Sequence, residues 1–246
     1  DMHIAIVGGK RVRIRLADDL REERSHSVSL SADLYHTFGK VQTNLLVEGF
    51  YTILDDVFAL RDMDDAADGG KVKERYNGSG ATVRGFNVEG RAAFTRWFEL
   101  QAGVTLQQSR YKEPEFWSED AEVPPVRRMF RTPDAYGYFT ASFKPVRNFT
   151  ADLSGTCTGS MLVQHMAGSG VGQDVAVSTP SFFDMNIRLS YDVRIYKEIT
   201  MQLYGGVQNL FNAYQKDFDK GVDRDSGYIY GPSLPRSWFV GAKFSF

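Results

Sequence analysis

Long apolar runs are missing from this 246-residue chain: the longest covers four residues, at Ile4 to Val7 and again at Val57 to Leu60. A membrane helix needs roughly 18 or more, so no helical span is present. Cysteine is almost absent. The single Cys157 excludes an internal disulfide framework and any multi-cysteine zinc or iron–sulfur site. An excess of one charge is also lacking. The 29 basic and 31 acidic residues leave a formal charge of −2, so there is no electrostatic footprint for a polyanion and nucleic acid is excluded as a partner. The start Asp1-Met2-His3 has neither a basic nor an apolar signal region, and the chain reads as an internal or C-terminal piece.

Aromatics make up 13% of the residues and there are 23 glycines, while stretches with helical period are scarce; β-structure is favoured. Alternate positions bear this out. From Phe149 to Met161 the odd residues are apolar or small and the even ones are all polar. Phe183 to Ile195 repeats the pattern, with Phe183, Met185, Ile187, Leu189, Tyr191, Val193 and Ile195 opposed to Asp184, Asn186, Arg188, Ser190, Asp192 and Arg194. Phe98 to Gln107 and Ser27 to Leu34 alternate equally well. Weaker alternation covers Val41 to Ile53, Phe86 to Phe94, Ala135 to Phe143, Ile199 to Phe211 and Trp238 to Phe246, which makes nine candidate strands.

A strand of ~13 residues tilted by ~40° rises roughly 33 Å, a bilayer's height. Soluble strands are mostly about half that length, which strains the alternative of a soluble sandwich or lipocalin-like barrel. The polar face would carry Asp33, Glu48, Glu89, Arg91, Glu99, Asp152, Asp184, Arg188, Asp192, Arg194 and Lys243. Linkers alternate in length. Short turns fall at Thr37 to Lys40, Thr95 to Trp97, Lys144 to Asn148 and Tyr196 to Glu198; long polar linkers run from Asp55 to Ala81, Tyr111 to Pro133, Gln164 to Pro180 and Asn212 to Pro235. Short turns on one rim and long loops on the other characterise outer-membrane barrels. Aromatic residues gather near the short turns, at Tyr35, Phe38, Phe94, Trp97, Phe98, Phe143, Phe149, Tyr191 and Tyr196, as an interfacial girdle would.

Catalytic and cofactor motifs are mostly absent. The pairs Gly9-Lys10, Gly39-Lys40 and Gly70-Lys71 lack the upstream glycine of a phosphate loop, and Gly168, Gly170 and Gly172 open no helix, so they read as loop flexibility. Four histidines, His3, His26, His36 and His165, form no zinc-spaced pair, and no metal or cofactor is expected. The acidic runs Asp62, Asp64, Asp65, Asp68 and Asp217, Asp219, Asp223, Asp225 fail the EF-hand template and read as solvated charge. No nucleophile elbow appears, so an enzyme is not expected.

The C-terminal end resembles a TonB-dependent outer-membrane receptor. Val207-Gln208-Asn209-Leu210-Phe211-Asn212-Ala213-Tyr214 is similar to that family's N-L-F-(N/D) signature, and Pro235 to Phe246 resembles its closing strand, which ends on Phe. Asp18-Asp19-Leu20-Arg21-Glu22-Glu23-Arg24-Ser25 looks like the N-x-D-L-K-P-E-x-S segment with Glu22 in place of Pro, and Gly85-Phe86-Asn87-Val88-Glu89-Gly90 is similar to its G-x-E-x-E strand with Asn87 replacing the first acid.

The resemblance implies an antiparallel up-and-down transmembrane β-barrel of 22 strands in the outer membrane, of which residues 1–246 would be the C-terminal portion. It also implies a plug domain and a TonB-contacting box, neither of which is visible in this chain. The expected partners are that plug, the remaining barrel strands, TonB, lipid, and a small-molecule or metal-chelate ligand. The implied function is TonB-coupled uptake of a scarce solute, whether siderophore, haem, cobalamin or glycan. A passive porin or adhesin barrel ranks second and a barrel enzyme third. Loop aromatics suit rings and sugars, and arginine suits anionic chelates. The candidate ligand contacts are therefore Tyr111, Phe116, Trp117, Arg127, Arg128, Arg131, His165, Tyr228 and Tyr230.

Overall fold

The computed structural model describes residues 3–7, 10–63, 71–196, 199–232 and 234–245. Gly9, Asp64, Asp65, Asp68, Gly70, the turn residues Lys197 and Glu198, and the closing Phe246 lie outside the described residues.

Nine long strands correspond one to one with the nine expected from alternation. They are β3 (Arg24–Phe38), β4 (Val41–Asp55), β7 (Ala81–Thr95), β8 (Phe98–Glu115), β10 (Ala135–Val146), β11 (Phe149–Thr158), β14 (Phe182–Tyr196), β15 (Ile199–Gln208) and β16 (Ser237–Ser245). Each pairs antiparallel with the next, in the order β16-β15-β14-β11-β10-β8-β7-β4-β3, as an up-and-down meander whose edges are β3 and β16. The long linkers carry strands that alternation did not single out. β5 (Phe58–Met63) and β6 (Lys71–Asn77) join β1 (His3–Val7) and β2 (Lys10–Leu16) in a separate four-stranded sheet in which β2 and β6 run parallel. β9 (Val126–Arg128) pairs with the end of β8, and β12 (Leu162–His165) pairs with β13 (Val175–Ser178).

Register makes one face of the large sheet apolar from edge to edge. Ladder partners share a face, so Leu100, Ala141, Leu153, Ile187, Val207 and Trp238 form one row across six strands. Ala102, Phe139, Gly155 and Met185 form the adjoining row. A one-residue slip anywhere would turn that strand's apolar set over, so the continuity of the rows fixes the register. This face is bare: Leu30 is 82% and Val240 90% exposed. A soluble sandwich would bury such a surface, and among the described residues nothing packs on it.

The opposite face is a hydrogen-bonded lattice. Asn87 Nδ2 donates to Glu48 Oε2 at 2.9 Å and its Oδ1 accepts from Thr105 at 2.8 Å; Gln101 donates to Glu89 at 2.8 Å, and the Tyr138 hydroxyl donates to Glu89 at 2.6 Å. Arg91 pairs with Glu99, Arg188 donates to Gln202 at 3.1 Å and sits 4.6 Å over the Tyr204 ring, and Ser142 donates to Asp152 at 2.8 Å. Tyr138 crosses Gly103, where a Cβ would stand 2.7 Å from the ring, so the glycine leaves the room that lets the hydroxyl reach Glu89.

The short turns are tight, with Gly39 at φ +62° in the first. Their aromatic girdle is partly as expected: Phe98 contacts Phe94 and Phe143 at 5.2 and 4.7 Å between ring centres, and Trp97 lies 5.3 Å from Phe143. Tyr35 differs. It pairs across the polar face with Asn44 and its hydroxyl donates to Asp33 at 3.0 Å.

Candidate functional site

All four long connections leave the same rim, and they pack on one another. Lys73 pairs with Glu119 at 3.6 Å, Arg131 N donates to Leu162 O at 2.7 Å and Ser118 Oγ to Asp174 Oδ2 at 2.7 Å, and Met166 N donates to Asp225 Oδ2 at 2.8 Å, so the four loops are joined in series. They also fold over the polar face: Phe182, Thr156, Thr158 and Asp184 of the wall share a recess of about 310 Å³ with Met161, Gly231 and Pro232 of the loops. That position makes the polar face the lumen side.

The last loop is closed by the two asparagines of the N-L-F-N stretch. Asn209 (φ +49°) and Asn212 (φ +55°) both occupy the left-handed region, which asparagine tolerates better than most residues. The Asn209 side chain is 3% exposed. It donates to Ala213 O and Leu234 O at 3.0 and 2.9 Å and accepts from Ala213 N at 2.8 Å, tying both legs of the loop together. Asn212 Oδ1 accepts from Arg236 N at 2.9 Å.

Inside the loop layer lies a small core of Val163, Phe182, Tyr228 and Tyr230. Gln215, 1% exposed, acts as a side-chain ladder rung: it donates to Tyr228 O at 3.0 Å and accepts from Tyr230 N at 2.8 Å. Both tyrosine hydroxyls donate to Asp217, at 2.8 and 2.7 Å. His165 stacks on Tyr228 with ring centres 3.7 Å apart and shares a 2.9 Å hydrogen bond with Asp219. The acidic run is therefore used inside the loop, with Asp219 also accepting from Asp225 N and Asp225 from Gly227 N. Gly168 and Gly170 stand where a Cβ would clash, while Gly172 has open space around it. A Cβ on Gly168 would stand 2.4 Å from Asp223 O, so Gly168 permits a close approach of two backbones.

Burial pushes the Tyr228 and Tyr230 hydroxyls above their ordinary value of 10.0, and the Asp217 carboxylate adds to this. For Asp217 burial acts upward, but donors from Tyr230, Tyr228, its own backbone amide and Gln215 together hold the carboxyl below 3.8; Asp219 is lowered by donors from Asp225 N and His165 against the same opposing burial. A depressed carboxyl stabilises the fold above its unfolded value and loses that contribution as pH falls. A raised phenol stabilises below its unfolded value and loses it as pH rises. The loop core is therefore expected to hold between about pH 4 and pH 10 and to loosen on both sides. Ultraviolet titration of tyrosinate, wild type minus the Tyr228→Phe/Tyr230→Phe variant, should show both groups ionising only above the ordinary phenol range; ionisation at the free value would contradict it.

Beside this core is a cavity of about 400 Å³ between the β5–β6 hairpin and the loops after β8 and β11. Of the nine sequence candidates, Tyr111, Phe116, Trp117 and Arg131 line it. Trp117 stands edge-on to Phe130 at 5.3 Å, and Arg131 is braced on the backbone oxygens of Ile229, at 2.8 Å, and Gly227. His165, Tyr228 and Tyr230 are buried in the loop core instead, and Arg127 and Arg128 are directed to Glu113 and Asp134. Sequence reasoning missed Phe58, Leu60, Lys73, Glu115 and Met166, which complete the wall. The Val57 to Leu60 apolar run in an otherwise polar linker was the signal for the first two. Aromatic faces suit a ring-bearing solute, and the wall carries both cations, Lys73 and Arg131, and acids, Glu115 and Asp225.

No match is found among curated proteins. Among solved structures the chain is similar to the ferric-catecholate import receptor Fiu from E. coli K12 (18% identity, TM-score 0.61, 92% of this chain and 28% of that one). It is also similar to the siderophore receptor PirA from Acinetobacter baumannii (16%, 0.59, 100% and 36%) and the copper transporter OprC (13%, 0.64, 94% and 33%). At these identities the likeness is one of fold, and the chain spans about a third of the length of the structures it matches. The family model for the TonB-dependent receptor-like β-barrel matches residues 6–210. With the bare apolar face, the polar lumen wall and the alternation of short turns and long loops, that match places the chain in the outer membrane, and it belongs to the TonB-dependent receptor β-barrel family.

Proposed function

We propose that the chain forms the C-terminal portion of a larger barrel whose loop cavity captures a scarce anionic, ring-bearing chelate for TonB-coupled uptake. The cavity between Trp117, Phe116 and Arg131 carries this reading, because it opens among loops that close over the lumen wall. Names of similar proteins, a ferric-catecholate import receptor and a siderophore receptor, support the solute class. β3 and β16 would pair with further strands, since long bare edges invite uncontrolled association. A plug filling the lumen would meet the polar lattice. The chain then acts as receptor and conduit, not as an enzyme.

The test is uptake and binding by the intact receptor, probed with a ferric triscatecholate, haemin, cyanocobalamin and a maltodextrin. The charged, ring-bearing chelates should bind and the maltodextrin should not. Trp117→Ala should weaken binding about 3- to 10-fold, the scale of a lost aromatic contact. Arg131→Ala should weaken it by tenfold or more, as befits a charge-assisted hydrogen bond. Uptake should stop in cells lacking TonB. Uptake that continues without TonB would instead identify a passive pore.

A further inference from the structure

The rim of short turns carries cations that nothing in the described structure uses. Arg96 sits in the β7–β8 turn, Arg147 in the β10–β11 turn, and Lys144 just before it at a β-bulge; all three are exposed, and no ion pair holds them among the described residues. The two turns are neighbours, because β8 and β10 are paired down to Phe98 and Phe143, and Lys144 N donates to Trp97 O at 2.7 Å. Among the described residues the carboxylates near this level, Glu99, Asp152 and Asp192, face the lumen and are engaged by Arg91, Ser142 and Gln202. The cations therefore go uncompensated. Directly beside them, on the apolar side, lies the ring cluster of Trp97, Phe98 and Phe143, with Trp97 43% exposed and Phe143 40%.

Rings at the level where a bilayer turns polar and free cations just beyond them match the layers of a phospholipid, with glycerol and upper acyl chain followed by phosphate. We propose that Arg96, Lys144 and Arg147, with this ring cluster, bind the phosphate headgroup of an anionic glycerophospholipid of the periplasmic leaflet. The proposal rests on the outer-membrane placement and not on the uptake reading. Each cation near an anionic leaflet contributes roughly fivefold in preference, so the cluster should favour an anionic lipid over a zwitterionic one by more than about tenfold.

Native mass spectrometry of the intact receptor, loaded with equal amounts of phosphatidylglycerol and phosphatidylethanolamine, tests this. Wild type should retain phosphatidylglycerol more than about tenfold over phosphatidylethanolamine. The Arg96→Gln/Lys144→Gln/Arg147→Gln variant should lose that preference, and millimolar inorganic phosphate should not displace the lipid. Wild type alone gives a second readout: salt on the order of 0.5 M should screen the preference away. Equal retention of the two lipids, a preference that survives either the substitutions or the salt, or displacement by inorganic phosphate would each overturn the proposal.

Discussion

Arginine in place of Ala141 is expected to destabilise the folded barrel by about 1–2 kcal/mol, while arginine in place of the adjacent Thr140 costs well under about 1 kcal/mol. Ala141 lies on the apolar face one pleat inside the Phe143 girdle, between Leu100 and Leu153 in the ladder, where a charge would have to leave water for acyl chains. Thr140 lies between Gln101 and Ser154 on the lumen face, where an arginine stays hydrated or joins the existing lattice. One step along the chain thus separates a severe change from a mild one. Urea titration of the intact receptor in lipid vesicles measures both. Similar costs at the two positions would remove the distinction between faces.

Asn209→Ala is expected to loosen the last long loop by about 2–4 kcal/mol. Three hydrogen bonds to a 3% exposed side chain are lost, which leaves the Ala213 and Leu234 carbonyls and the Ala213 amide to find water at the loop's edge. Alanine must also hold a φ of +49°, which adds about 1–2 kcal/mol. Asn209→Gly loses the hydrogen bonds but escapes the left-handed penalty, so it should fall between wild type and alanine. Amide hydrogen exchange over residues 210–232 reads this directly, and the alanine variant should exchange roughly 30- to 1000-fold faster. Equal exchange in alanine and glycine variants would mean that the backbone conformation contributes nothing.

Those two cases show what could be read in the chain before its fold was known. Ala141 and Thr140 belong to a period-two pattern, which reports the face of each residue however far its partners lie in sequence. All nine barrel strands were legible for that reason. β8 outran its reading because its apolar alternation stops near Leu106, while the backbone ladder continues through Tyr111-Lys112-Glu113-Pro114-Glu115 to the loops. β2 and β6 were missed because their parallel pairing joins segments some 60 residues apart with no local turn to announce it.

The site was legible only in part. Aromatic and arginine content pointed to Tyr111, Phe116, Trp117 and Arg131, which line the cavity. Composition does not separate a ring that faces a cavity from one that carries a loop. Tyr228 and Tyr230 find Asp217, and His165 finds Asp219, through contacts 11 to 54 residues apart that only the folded loops create. Lys73, Phe58 and Leu60 reach the cavity because the β5–β6 hairpin stands against it. The N-L-F-N stretch was recognisable by likeness, and its physical basis is two left-handed asparagines that clamp one loop.

Lipid contact on the apolar face is measured most directly by nitroxide scanning along β11, from Phe149 through Cys157 to Thr158, in the intact receptor in bilayers. Labels at 149, 151, 153, 155 and 157 should collide with oxygen dissolved in the acyl chains, and labels at 150, 152, 154, 156 and 158 should be shielded from it, with an unbroken period of two. Uniform oxygen accessibility along the strand, or the opposite phase, would contradict a barrel wall with lipid on one side and a lumen on the other.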